Sequence, residues 1–290
     1  MAAAAGIWGR STEGMTHEDK LKIMRSAAYA RALGLEFGSW GDGRAELRLP
    51  LHARIGADAD GARIDQRALI GLLDDLSGYA VASTIAPEMG MSTVCLHIDF
   101  VQPVPPGDIV GATRCEGAFN DIVLVHGTAT SPAAGLVATS TAWFHAGAYP
   151  GQSASAVMGE ARERTRQADA WPDGSYGALL GARRDGDAWV VAPTPHLLGG
   201  NDNPAVHGGA VGALLATACH ARLADEGRGD MHMASLSIRY LRAVRSELRA
   251  TASVSRIGGR IAFIDAAIRA DDGSALIATA QSLWARQPTR

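Results

Sequence analysis

A chain of 290 residues is long enough for two domains that each bury a core, and 47% apolar with 20% charged residues is a globular composition rather than a disordered one. The net charge of −3 excludes a broad nucleic-acid-binding surface, which needs a basic excess. Three well-separated cysteines, Cys95, Cys115 and Cys219, form no CxxC pair, so neither a disulfide framework nor a metal centre is expected, and a reducing, cytoplasmic compartment fits.

The opening residues, Met1 to Trp8, lack a basic segment and a sustained apolar one, so no signal peptide is expected. No run of about 18 apolar residues predicts a membrane helix. Residues 16–33 carry Leu21, Met24, Ala28 and Ala32 at helical spacing and are predicted as a helix. An extended pair follows over 35–49 around Gly41-Asp-Gly43, because Asp-Gly between alternating residues is a hairpin signal. Residues 66–83 are apolar on most of a helical circumference and stop near Pro87. Strands are predicted over 92–104, 108–116, 122–130 and 136–145.

The Gly/Pro/Ser-rich stretch from Gly147 to Ser155 reads as a linker between a domain at 1–150 and a domain at 151–290. The same order of elements then returns. A helix is predicted over 158–168 and an extended pair over 178–191 around Asp185-Gly-Asp187. A second strongly apolar helix is predicted over 208–224, ended by Gly227, and strands over 233–244, 247–257, 261–270 and 275–286.

Sliding the chain along itself supports a duplication. A shift of 140 places lays Leu96-His-Ile-Asp-Phe100 over Leu236-Ser-Ile-Arg-Tyr240, and Leu136-Val-Ala-Thr139 over Leu276-Ile-Ala-Thr279. A shift of 142 lays Ala68-Leu-Ile-Gly-Leu-Leu73 over Ala210-Val-Gly-Ala-Leu-Leu215. A helix apolar nearly all round must be wrapped, and the antiparallel strands that follow it are the available wrapping. Each half is therefore expected to be α+β, a sheet around a central helix.

Asn201-Asp-Asn-Pro-Ala-Val-His207-Gly208-Gly209 followed by Leu214-Leu215 resembles the N-x-x-G-x-x-H-G-G…L-L-D-T-A signature of hotdog-fold thioesterases. The relatives in view are the phenylacetate-pathway and 4-hydroxybenzoyl-CoA types. Pro204 replaces the middle glycine and Ala216 the acid. Leu72-Leu-Asp74-Asp75, His97 to Asp108, Leu236 to Arg242 and Arg256-Ile-Gly-Gly-Arg260 extend the resemblance over almost the whole chain. It implies two tandem hotdog domains forming an intrachain pseudo-dimer, and an acyl-CoA thioester hydrolase. It implies no cofactor beyond the CoA of the substrate, and a further pairing of double-domain chains into a homodimer as an expectation.

Thioester hydrolysis needs a carboxylate to activate water or attack the carbonyl, and donors for the oxyanion. His207-Gly208-Gly209 opens a helix whose first N–H groups lack partners, although a tight loop-to-helix turn would use the same residues. The family's acid follows its histidine by nine places, which is Ala216 in the second half and, through the repeat, Asp74 in the first. Conversely, the first half has Asp65-Gln66-Arg67 where the second has His-Gly-Gly. The resemblance then implies one composite site, Asp74 facing Gly208 and Gly209, and one dead site. Asp75 is the rival acid if the register slips by one. Asn201 is a candidate to hold the carbonyl or the water, or a turn residue. Arg242, Arg256 and Arg260 are candidates for the CoA phosphates, because arginine's planar fork suits phosphate oxygens.

Three other readings stand beside hydrolysis. Gly200 to His207 faintly resembles the G-D-x-N-P-L-H pattern of enoyl-CoA hydratases, with Asn201 in place of the acid and one extra residue before the histidine. A non-catalytic acyl-CoA or acyl-carrier binder would keep the arginines and tolerate loss of Asp74. A purely structural role leaves the retained acid and His-Gly-Gly unexplained.

Overall fold

The computed structural model describes residues 16–57, 61–87, 89–148, 171–199, 205–270, 273 and 275–286. The first half runs α1 (His17–Arg25), α2 (Ala28–Ala32), β1 (Glu36–Gly41), β2 (Arg44–Leu49), α3 (Gln66–Ala82), β3 (Met89–Phe100), β4 (Ile109–Phe119), β5 (Ile122–Ser131) and β6 (Gly135–Ala148). The second half runs α4 (Tyr176–Leu180), β7 (Arg183–Asp185), β8 (Ala188–Val191), α5 (Gly208–Asp225), β9 (His232–Tyr240), β10 (Leu248–Ile257), β11 (Ile261–Ala270) and β12 (Leu276–Ala285). The expected domain boundary near 150 and the expected helix over 158–168 lie outside the described residues.

The twelve strands of the described residues join one sheet in the order β1-β2-β4-β5-β6-β3-β9-β12-β11-β10-β8-β7. Replacing each strand by its repeat counterpart reverses this order, so the sheet has an internal two-fold. Its seam is the antiparallel β3–β9 pair, where His97 lies opposite Ser237, its own counterpart under the shift of 140. The two central helices form the layer beneath: α3 packs on β1 to β6, α5 on β8 to β12, and the helices pack on each other.

Local sequence explains most element boundaries. Asp42 (φ 50°) and Gly43 (φ 72°) turn the first hairpin, both in the left-handed region that a tight turn of this type requires. Asp65 caps α3 by accepting the Arg67 N–H at 2.8 Å, and every residue from Ala68 to Ala82 is buried. His207 caps α5 in the same place with its ring, Nδ1 accepting the Gly209 N–H at 3.0 Å. The helices approach closely: a β-carbon on Gly209 would sit 2.5 Å from the Gly71 α-carbon.

Two expectations are corrected. The helix over 16–33 is two pieces, because the Ala27 backbone leaves the helical region (ψ 123°) and the Tyr29 N–H donates to the Leu198 carbonyl, docking α2 on the second half. The extended pair over 178–191 begins late, because residues through Leu180 complete α4, which ends at left-handed Gly181 (φ 62°) and buries Tyr176. Its hydroxyl bonds that of Tyr29 at 2.6 Å. Among the described residues no helix is long and apolar enough to cross a membrane.

Candidate active site

The N-terminus of α5 and the middle of α3 meet at a cleft between the halves with a cavity of about 380 Å³. Leu69, Leu72, Leu73 and Leu76 pack into the core, and Asp74, on another face of α3, is carried to the start of α5. It is only 4% exposed. A β-carbon on Gly208 would lie 2.6 Å from Asp74 Oδ2, so carboxylate and bare backbone are in direct contact. Thr93 of β3 donates its hydroxyl to Asp74 Oδ1 at 2.8 Å.

Burial pushes the Asp74 carboxyl above the ordinary range, and the neighbouring Asp75 adds to that push. The His207 ring, the Thr93 hydroxyl and the nearby Gly209 N–H pull the other way without cancelling it. The outcome is a carboxyl poised to take a proton.

His207 stands between the two acids. Its Nε2 is 3.1 Å from Asp75 Oδ1 and its Nδ1 is 3.5 Å from Asp74 Oδ2. Burial disfavours a charged ring, but the charge and hydrogen bond of Asp75, together with Asp74, hold its pKa up at about 9. The Tyr29 ring packs 4.9 Å from it, and the Tyr240 hydroxyl donates to the Gly208 carbonyl at 3.1 Å. The Gly208 N–H, at the first helical position, has no intrahelical acceptor and borders the cavity.

Asp74, His207 and Gly208 thus converge at the cleft with Gly209 directly behind them, and Arg242 lies at its exposed rim. Asn201 lies outside the described residues. Arg256 and Arg260 do not reach this cleft. The register carries Tyr240 across Ala278 and Ile268 to Ala250, and Arg256 is six residues, or about 20 Å, further along β10. Arg260 follows at the same far end, where its carbonyl accepts the Arg286 N–H. Sequence reasoning missed Thr93 and Tyr29. Tyr240 closes a motif recognised in the sequence, but nothing there assigned it to the helix start.

The symmetry-related place is filled. Arg67 grips Asp65 through Nε at 2.9 Å and Nη2 at 2.6 Å, and its Nη1 donates to Thr217 at 3.0 Å. A guanidinium occupies the start of α3 where α5 has glycine, and Ala216 offers no acid. Among the described residues no cluster of three or more His, Cys, Asp or Glu side chains could hold a metal ion.

Residues 203–277, which include His207-Gly208-Gly209, match the family model of the Thioesterase superfamily. No curated protein sequence matches the chain. Solved structures resemble it over nearly its whole length. An acyl-CoA thioesterase II from Mycobacterium marinum is 14% identical, with a TM-score of 0.54 over 90% of this chain and 98% of that one. A tesB protein from Mycobacterium avium subs paratuberculosis is 12% identical, with a TM-score of 0.57 over 94% and 100%. A 12:0-ACP thioesterase from Umbellularia californica is 12% identical, with a TM-score of 0.55 over 83% and 94%. At these identities the likeness establishes the fold, two hotdog units in tandem, as the sequence repeat implies.

Proposed function

Taking the superfamily match at the start of α5 as the premise, we propose that the chain hydrolyses acyl-CoA thioesters at one composite site, with Asp74 from the first half acting on a substrate held at His207-Gly208-Gly209 of the second. The observation that carries this reading is the direct contact between the Asp74 carboxylate and Gly208. A base and the Gly208 N–H, which lacks an intrahelical acceptor, stand within one substrate carbonyl's reach of each other.

In this reading the thioester oxygen turns toward the first N–H groups of α5, whose dipole end favours the developing negative charge. Asp74 takes a proton from water as the water oxygen bonds to the carbonyl carbon. The tetrahedral oxyanion collapses, the C–S bond breaks, and the sulfur leaves as a thiolate that takes up a proton. The products are the free acid and the thiol. Met24, Gly78, Met91, Phe144 and Val211 offer an apolar wall for the acyl group, and Arg242 at the rim suits the charged end of the substrate. CoA enters only as part of the substrate.

A thiol-release assay on a panel of CoA esters, run beside hydration of crotonyl-CoA, tests the proposal. Release of free thiol without hydration is expected. Tight CoA binding with no turnover of any ester would instead identify a binding protein.

A further inference from the structure

Asp75 is 8% exposed, lines the cleft, and has one oxygen, Oδ2, that is buried without a hydrogen-bond partner. Its other oxygen faces His207 Nε2 at 3.1 Å. A buried carboxylate with an orphaned oxygen is costly, so the position should be neutral unless its charge has a use. The repeat supplies the comparison. Thr217 stands at the counterpart of Asp75, is also buried, and is satisfied without a charge of its own, donating to the Ala213 carbonyl of its helix at 2.8 Å and accepting from Arg67 Nη1 at 3.0 Å. A neutral side chain therefore suffices for packing here. The superfamily-like signature read from the sequence also has threonine after its acid, where this chain has Asp75.

We propose that Asp75 is a positioning residue that holds the His207 ring by its Nε2–H, turning Nδ1 toward Asp74 and Gly209 so that His207 serves as the proton donor for the leaving thiolate. The inference rests on the hydrolase reading above. Nδ1 is 3.0 Å from the Gly209 nitrogen and 3.5 Å from Asp74 Oδ2. An unprotonated Nδ1 accepts the Gly209 N–H. A protonated Nδ1 donates to Asp74 instead, and the Gly208 N–H, which borders the cavity without an intrahelical acceptor, stands for the oxyanion. The protons balance: water gives one to Asp74, the imidazolium gives its Nδ1 proton to the sulfur as the C–S bond breaks, and Asp74 then returns its proton to Nδ1.

The groups facing the ring are Asp74 and Asp75 of α3 and Tyr29 of α2, while Tyr240 of β9 and Arg242 line the same cleft. The acids dominate, holding the ring's pKa at about 9, which places its loss of charge on the alkaline side of neutrality.

The test compares wild type with Asp75→Asn, which keeps an acceptor for Nε2–H but removes the charge, and with Asp75→Thr, which copies the residue the fold accepts at the counterpart position. Two readouts are taken: the pH dependence of kcat and KM for a hydrolysed ester, and the titration of the His207 ring by NMR. Wild type should lose kcat with an alkaline limb near 9. Both variants should move that limb and the ring titration down by about one pH unit or more, a fall of about tenfold in kcat on the limb, with KM changed less than about twofold. Variants that are merely less stable, with limb and ring titration unmoved, overturn the proposal. Should no ester be hydrolysed by wild type, the hydrolase reading falls, while the ring titration still decides whether Asp75 holds the charge on His207.

Discussion

Asp74 Oδ2 occupies the space that a β-carbon on Gly208 would need, 2.6 Å away, although the two residues belong to different halves of the chain. Glycine at 208 and the acid at 74 are therefore one device. Gly208→Ala needs no change of backbone, because Gly208 opens α5 in a conformation that any residue adopts. The added methyl must instead displace the carboxylate and crowd the donors. We expect kcat for thioester hydrolysis to fall about a hundredfold or more with the fold intact by circular dichroism. A variant that turns over at the wild-type rate would remove Gly208 from the mechanism.

Asp74→Asn should abolish thiol release and, at neutral pH, stabilise the protein. A carboxyl whose folded pKa is raised keeps its proton in the native state after the unfolded chain has lost it. Between those two values the native state binds more protons, so stability falls as pH rises. Asparagine cannot ionise and escapes that loss. Denaturant midpoints of wild type and variant should agree at pH well below 3.8 and separate, in favour of the variant, toward neutrality. A gap that is the same at both ends of the range would mean that burial of the charge is not its cause.

Arg67→Ala should separate stability from activity. Its guanidinium bonds both oxygens of Asp65, whose side chain is 11% exposed, and reaches Thr217; truncation leaves Oδ1 the Arg67 backbone N–H but takes the donor from Oδ2. The cost should be about 1–3 kcal/mol in chemical denaturation. Thioester turnover should stay within about twofold of wild type, because the start of α3 plays no part in the proposed reaction. Loss of turnover in a folded Arg67→Ala would show that the symmetry-related place is in use.

The duplication and the two central helices were legible because they depend on apolar periodicity, which survives in both copies. The same offset picked out Asp74 as the acid, and the resemblance to hotdog-fold thioesterases implied its place against the glycines. Thr93 was not legible, for a geometric reason: β3 has a register shift between Thr93 and Cys95, and one extra residue reverses which side chains face the helix. The repeat gave no hint either, since the counterpart of Thr93 is Met233. Arg256 and Arg260 lie away from the Asp74 cleft, because membership of a strand says nothing about which of its ends adjoins a given site. The break at Ala27 depends on a hydrogen bond between α2 and Leu198, a partner more than 160 residues away in sequence.

Gly78 lies one turn beyond Asp74 on the same face of α3, so its missing side chain sets the room beside the carboxylate. A β-carbon there would meet Met91 Cε at 3.5 Å, Phe144 Cε1 at 3.7 Å and Met24 Cε at 3.8 Å. These are ordinary van der Waals separations, so Gly78→Ala should fold, and helix propensity favours it. The space it fills is the apolar part of the cleft, bounded by two methionines that can shift and one ring that resists. A methylene of pocket is worth about 1–3 kcal/mol, or roughly 10–200-fold in kcat/KM. We therefore expect Gly78→Ala to lower kcat/KM steeply for the longest acyl chains that wild type accepts and to spare the shortest. Gly78→Leu should extend the loss to intermediate lengths. An equal loss across all lengths would mean that Gly78 shapes the position of Asp74 rather than the acyl pocket.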